Sequence, residues 1–321
     1  MASTILVGGA DVAGLWSEYI LRDFVPGLKR NLFLAEYAEP ARIPRGAGAF
    51  VGKWNVPTMR TGSVTALSGG TSGVKTDMVT ITAVTAGLTT YGEWFELEDL
   101  ATESVITEAI DAYREITMES GARALDLLVY NAAVATTNFL HAGDSTISGV
   151  TLAAGDQLKA KDLPVIGGFF RKRNNKGWPQ LSNDFMLAID PDVETTFVTH
   201  VSTSELSWTE VNKHVPEGFK QLIDNHRFVG RLNGVSVLRS TTIGTITEDV
   251  AAFRNIALAR YGVGWLGLGE NGPKAPQIKF KRPGPQSTND PLDMVNTMGW
   301  KLRAVGKLLD SNRALVVYSA V

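Results

Sequence analysis

Between Thr61 and Gly92 the chain carries only two charged side chains, Lys75 and Asp77. The rest is mostly Thr, Ser, Gly, Val and Ala, the composition of a β-ribbon, with SGGTSG at Ser68–Gly73 marking its tip. A two-stranded ribbon of this length cannot bury itself, and an isolated hairpin is marginal in water. Its open edges invite pairing with other chains, and no proline or charge run between Thr61 and Gly92 blunts them. The sequence therefore predicts that neighbouring copies cover the ribbon. That requirement points to assembly, not catalysis.

The returning strand ends in TTYGEWFELED at Thr89–Asp99. Alternation puts Tyr91, Phe95 and Leu97 on one face with Glu93, and Trp94, Glu96 and Glu98 on the other. Glu98, Asp99 and Glu103 then place negative charge where a helix dipole favours it, with Thr102 as the expected N-cap. From about Ser104 to Thr136 apolar residues recur at helical spacing, among them Tyr113, Ile116, Leu125, Leu128, Val129 and Ala133. No proline interrupts this run. At 1.5 Å per residue such a helix spans on the order of 50 Å, long enough to serve as a spine.

Composition narrows the class. With 44% hydrophobic and 20% charged residues over 321 positions, the chain can bury a sizeable core in one large or two modest domains. A formal net charge of −2 implies no global attraction to nucleic acid. The absence of cysteine excludes disulfides, thiolate-bound metal and thiol chemistry. The opening MASTILVGGADVAG has no basic residue before its apolar run and does not read as a secretory signal. No apolar run approaches a membrane span, so the expectation is a soluble protein with no membrane partner.

Elsewhere the pattern is mixed. Residues 1–60 read as an extended arm with one amphipathic segment at Val12–Phe24, and Pro40–Pro57 as irregular or extended. Asp162 sits near the N-cap of a short helix; Phe185–Ile189 reads as a buried strand, and Pro191 opens a helix. Gly230–Arg239 reads as a hairpin around Asn233-Gly234. Asn255–Leu268 is strand or helix, Ile278–Asn289 a polar loop, and Lys301–Leu309 and Ala314–Val317 are β-like.

Few residues carry chemistry. Gly262, Gly264 and Gly267 match GxGxxG, but the following Gly269-Glu270-Asn271-Gly272-Pro273 cannot open a helix, so a glycine-rich turn is expected over Gly262–Gly269 and no cofactor. His141, His200, His214 and His226 form no metal-binding spacing and no catalytic set, and no metal or catalytic residue is assigned. Arg171, Lys172, Arg173 and Lys176 form the densest basic cluster, a weak DNA contact or an inter-subunit contact, with a solvated helix end as the plainer reading.

The ordered set of segments resembles the major capsid proteins of tailed bacteriophages, and in particular the family typified by the podovirus N-four. Thr90-Tyr91-Gly92-Glu93 with Leu97-Glu98-Asp99 resembles that family's Gln-Tyr-Gly-Asp/Glu and Leu-x-Asp segment before the long helix. Asn212–Leu222 followed by Gly230–Ser240 resembles its mid-chain helix and hairpin. Asn289-Asp290-Pro291-Leu292 and Gly299-Trp300-Lys301 resemble its Asp-Pro-Leu and Gly-Trp-Lys signature. The sequence departs at Ser68–Gly70, where Thr-Glu-Gly is usual, and at Thr90, where Gln is usual.

The resemblance implies an α+β Hong Kong 97-type fold. Its expected parts are an N-terminal arm (1–60), an extended loop and return strand (61–98), a peripheral domain with the spine helix (99–160), a mainly axial domain (161–275), and a return to the peripheral domain with the C-terminal strands (276–321). It implies a non-enzymatic shell protein, assembled in the bacterial cytoplasm into hexamers and pentamers of a phage head enclosing double-stranded DNA without sequence-specific binding. A separate scaffolding protein, a portal and a decoration protein are the implied partners. Contact candidates between copies are Val64, Lys75, Asp77, Tyr91, Trp94, Glu98, Trp300 and Lys301. Two other readings stay open: an encapsulin-like nanocompartment shell, and a nucleotide-binding enzyme using the Gly262–Gly269 turn.

Overall fold

The computed structural model describes residues 34–43, 51–57, 81–98, 107–143, 147, 152–199, 227–247, 250–268, 276–281 and 295–320. In chain order the elements are β1 (Glu39–Ile43), β2 (Val51–Pro57), β3 (Ile81–Gly87), β4 (Thr89–Glu98), α1 (Thr107–Val134) and β5 (Phe139–His141). Then come α2 (Asp162–Lys172), β6 (Phe185–Ile189), α3 (Pro191–Thr199), β7 (Phe228–Leu232), β8 (Val235–Arg239) and β9 (Thr245–Thr247). The chain closes with β10 (Ala251–Leu258), β11 (Val263–Leu268), β12 (Gln277–Lys281), β13 (Val295–Leu308) and β14 (Ala314–Ala320). The architecture is α+β, with two compact units.

One unit includes Thr89–Leu125 and Pro273–Ala304. Here the long strand β13 lies between β4 and β12, antiparallel to both. Period-2 alternation gives this sheet two unlike faces. Met298, Trp300 and Leu302 are buried on one, where Phe95 meets Tyr113 of α1 with ring centroids 6.0 Å apart. Trp300 Nε1 donates to Ser120 Oγ at 3.2 Å and to Glu93 Oε2 at 3.3 Å, so strand, helix and sheet share one polar clasp. The spine helix expected over Ser104–Thr136 is observed as α1, with its buried line running through Thr117, Gly121 and Leu125. Ile116, expected on that line, is exposed; it lies one residue off the Thr117–Gly121–Leu125 repeat of four.

The other unit includes Phe33–Leu88, Asp126–Gly272 and Val305–Val321. Its sheet runs β5-β14-β10-β6-β8-β7, with β9 also paired to β10. The central strands are buried on both faces: β6, FMLAI, throughout, and β10 and β14 nearly so, as a sheet covered on both sides requires. α2 turns Leu163, Ile166 and Phe170 inward at 3.6-residue spacing, and Phe170 meets Phe185 of β6 at 4.9 Å. The expected hairpin is present: Asn233 (φ 51°) and Gly234 (φ 72°) form the two-residue turn that the twist of β7 and β8 selects. Asn255–Leu268 resolves into two strands with a turn between them. The start of Ile278–Asn289, expected as a polar loop, instead lies in β12, whose backbone groups complete the ladder with β13.

Pro40–Pro57, expected as irregular or extended, supplies β1 and β2. β2 pairs antiparallel with β3 from Val51↔Gly87 to Pro57↔Ile81, so the outgoing strand of the ribbon starts about ten residues earlier than the composition suggested. The C-terminal strand β14 pairs with β10 and β5, inside the larger sheet.

Asp162 opens α2 as its first residue, not its cap. Its carboxylate, buried, accepts the Gly143 N–H at 3.2 Å and the Lys159 N–H at 2.8 Å, tying two loops to the helix start. Burial pushes its pKa up to about 6, against the lowering pull of those N–H donors and of Lys161 and Lys159. The folded state thus holds the proton more tightly than the unfolded chain. Stability from this group is present in full below about pH 4 and is lost as the pH rises through about 6, a change on the order of 2–3 kcal/mol. Thermal melts from pH 4.5 to 7.5 are expected to show this slope in the wild-type subunit and lack it in Asp162→Asn. An identical slope in both would refute the assignment.

Candidate assembly surfaces

Three surfaces stand out. The first is the ribbon β2–β3. Its inner face rests on the larger unit, where Gly52 sits against the Leu266 side chain and Trp54 lies against Gly264. On its outer face, Val51, Lys53, Asn55 and Pro57 oppose Gly87, Thr85, Ala83 and Ile81, and all eight are exposed. Val51 is 58% and Ile81 59% accessible, and Lys53 is the only charge in the set. Val64, Lys75, Asp77 and the Ser68–Gly73 tip lie outside the described residues.

The second surface is the outer face of the β4–β13–β12 sheet. In register, Gly92 faces Lys301, Glu93 faces Trp300 and Trp94 faces Gly299. The TYGEW and GWK segments, about 200 residues apart in sequence, are thus cross-strand partners. A Cβ on Gly299 would lie 2.5 Å from the Glu93 carbonyl oxygen and 2.7 Å from Trp94 Cβ, so only glycine lets the Trp94 side chain lie across β13. Trp94 is 65% exposed. With Thr90, Gly92, Lys279, Gly299 and Lys301 it lines an open groove of about 330 Å³. Tyr91 points to the helix side and is half-buried, and Trp300 is buried in its own unit, where it supports the face instead of forming it. Glu98 ends β4 opposite Val295.

The third surface is basic. Arg171 and Lys172 close α2, with Arg173 and Lys176 in the loop that follows. The Arg171 guanidinium donates to the Asn233 side chain and carbonyl; that of Arg173 lies 3.8 Å over the Phe169 ring and donates to Asn312 Oδ1 at 3.1 Å. The hydrogen bonds anchoring both go to neutral groups.

The remaining sequence candidates resolve as structure. Gly264 and Gly267 lie within strand β11, paired with Glu39 and Arg42 of β1, so the expected glycine-rich turn over Gly262–Gly269 is corrected: only Gly262 turns the chain among its described glycines. No helix follows in the described residues to receive a phosphate. His141 is buried on β5 beside Phe139 and Tyr318; His200, His214 and His226 lie outside the described residues. No described group of His, Asp or Glu is arranged to hold a metal, and no described helix is long and apolar enough to cross a membrane.

No protein-family model and no curated protein matches the sequence. Solved structures match from end to end. The capsid of Ralstonia phage GP4 is similar over 99% of this chain and 98% of its own, at 10% identity and a TM-score of 0.64. The capsid structure of the cyanophage P-SCSP1u covers 98% and 96%, at 14% identity and 0.56. The holo-SrpI encapsulin complex of Synechococcus elongatus covers 99% and 96%, at 11% identity and 0.54. The chain has the Hong Kong 97-type fold of phage capsid proteins, the fold its segment order resembled.

Proposed function

We propose that this chain is a major capsid protein. Copies form hexamers and pentamers of an icosahedral phage head, a part of the virion that encloses double-stranded DNA. The observation that carries the reading is the near-complete, two-way coverage between this chain and subunits of assembled phage capsids. The ribbon supports it physically: eight outward positions, four on each of two paired strands and with one charge among them, make a face that a neighbouring copy can cover. Val64, Lys75, Asp77, Trp94, Glu98 and Lys301 are the proposed contacts between copies, with Tyr91 and Trp300 holding the sheet that carries Trp94 and Lys301. The parts of the chain are proposed as an arm (1–60), loop (61–98), peripheral domain (99–160 and 276–321) and axial domain (161–275). Scaffolding, portal and decoration proteins are proposed partners, and the bacterial cytoplasm is the proposed site of assembly.

An encapsulin-like shell is the second reading, favoured by the matching encapsulin subunit. The two differ in contents, nucleic acid or cargo protein, not in wall. Size-exclusion chromatography with light scattering of the expressed chain tests what they share. The expected species has a mass five or six times that of the 34.6 kDa subunit, or larger. A monomer at all concentrations, with and without scaffold, contradicts both.

A further inference from the structure

Three loops of the larger unit are stitched into one rim. They are the segment after α2 (Arg173–Gly177), the β10–β11 turn (Ala259–Gly262) and the β13–β14 turn (Leu309–Arg313). Arg260 N–H donates to the Lys176 carbonyl at 3.0 Å and Ala259 N–H to the Arg313 carbonyl at 2.9 Å. Asn175 Nδ2 donates to the Asn312 carbonyl at 2.7 Å, and the Leu309 N–H to the Gly262 carbonyl at 2.9 Å. With the end of α2, this rim collects Arg171, Lys172, Arg173, Lys176, Arg260 and Arg313 against two carboxylates: Asp310, which is spent on Arg313 at 3.1 Å, and Asp184, which acts on Arg171 but is paired with Arg231 at 3.1 Å. The sequence cluster named four of these cations. The fold adds two from segments about 90 and 140 residues away.

We infer that this rim holds the sugar–phosphate backbone of duplex DNA, a contact that rests on the capsid reading above. The α2 dipole accounts for cations in that helix's last turn, but not for Lys176 or Arg260 on other segments. Arg171 and Arg173 are fixed by neutral oxygens and the Phe169 face, which orders their positions; the Asp184 carboxylate that acts on Arg171 is already paired with Arg231, so the rim keeps a net positive charge. The aromatic rings are covered: Phe169 lies under Arg173 and Tyr261 under Arg260, whose guanidinium carbon is 4.6 Å from the ring centroid. Bases therefore find no free ring to stack on, whereas phosphates find fixed cations, the pattern of sequence-independent backbone binding. Each contact is weak alone and is repeated in every subunit of a closed shell.

The Lys172 and Lys176 side chains are exposed, make no hydrogen bond or ion pair among the described residues, and can be changed without touching the backbone stitching. The test is fluorescence anisotropy of a duplex of about 30 base pairs titrated with purified subunits or capsomers from about 50 to 200 mM salt. Lys172→Gln/Lys176→Gln is expected to lower the slope of log affinity on log salt by about 2 and to weaken binding tenfold or more at low salt. Arg114→Gln/Arg123→Gln, an equal charge change on exposed positions of α1, is expected to leave both unchanged. Wild-type chain that does not bind duplex at about 50 mM salt overturns the inference. So does an unchanged slope in the lysine variant. Lost capsomers with unchanged duplex binding also overturns it and reassigns the rim to a second copy. Light scattering on the same samples reads assembly separately: a monomer that binds duplex through these lysines keeps the rim and removes the capsid reading.

Discussion

Val51→Asp/Ile81→Asp is expected to leave a folded subunit that no longer assembles. Both side chains are more than half exposed, at opposite ends of the outer ribbon face. Exposed substitutions away from special contacts change stability by only about 0.5 kcal/mol, so the subunit melt should scarcely move. Covered by a neighbouring copy, each aspartate becomes a buried charge without a partner, a penalty of several kcal/mol. Two such penalties recur at every contact in a closed shell, so the loss should be complete and not graded. Circular dichroism reads the fold, and light scattering reads the assembly. Wild-type particles from this variant would place the outer ribbon face on free surface and remove it from the assembly mechanism.

Gly177→Ala is expected to fail earlier, at folding. A Cβ at Gly177 would sit 1.7 Å from the Asn183 carbonyl oxygen and 2.2 Å from its carbon, both backbone atoms with no side-chain freedom to yield. The segment is held by the Trp178 N–H donating to the Asp184 carbonyl at 2.8 Å, by the buried indole donating to the Leu258 carbonyl at 3.2 Å, and by the edge-on Tyr37 ring at 5.4 Å. Making room for one methyl group means separating this bridge. The expected destabilisation exceeds about 3 kcal/mol, in the range of severe core changes. Thermal or urea denaturation of the soluble fraction reads it, and a wild-type midpoint would contradict the packing described. Together the two variants separate a chain that cannot fold from one that folds and cannot join its neighbours.

Local signals in the sequence predicted much of this fold. The proline-free apolar period announced α1, and the Asn233-Gly234 pair announced the β7–β8 turn, because both depend on nearest neighbours. The all-apolar FMLAI identified a buried strand in the same way. What was not legible depends on partners far away in the chain. Val51–Pro57 has glycine and proline within it and becomes a strand because β3 completes its hydrogen bonds. Gly264 and Gly267 imitate a phosphate loop and are instead strand residues alongside β1. The register that joins TYGEW to GWK explains why Gly299 must be glycine, yet neither segment contains that information alone. The basic rim was half visible as Arg171–Lys176, while Arg260 and Arg313 join it only through tertiary hydrogen bonds.

Negative-stain electron microscopy of the expressed chain, alone and with a co-expressed scaffolding protein, tests the central claim most directly. The account predicts closed shells, or rings of five and six subunits. A uniform population of monomers or dimers under both conditions would contradict it.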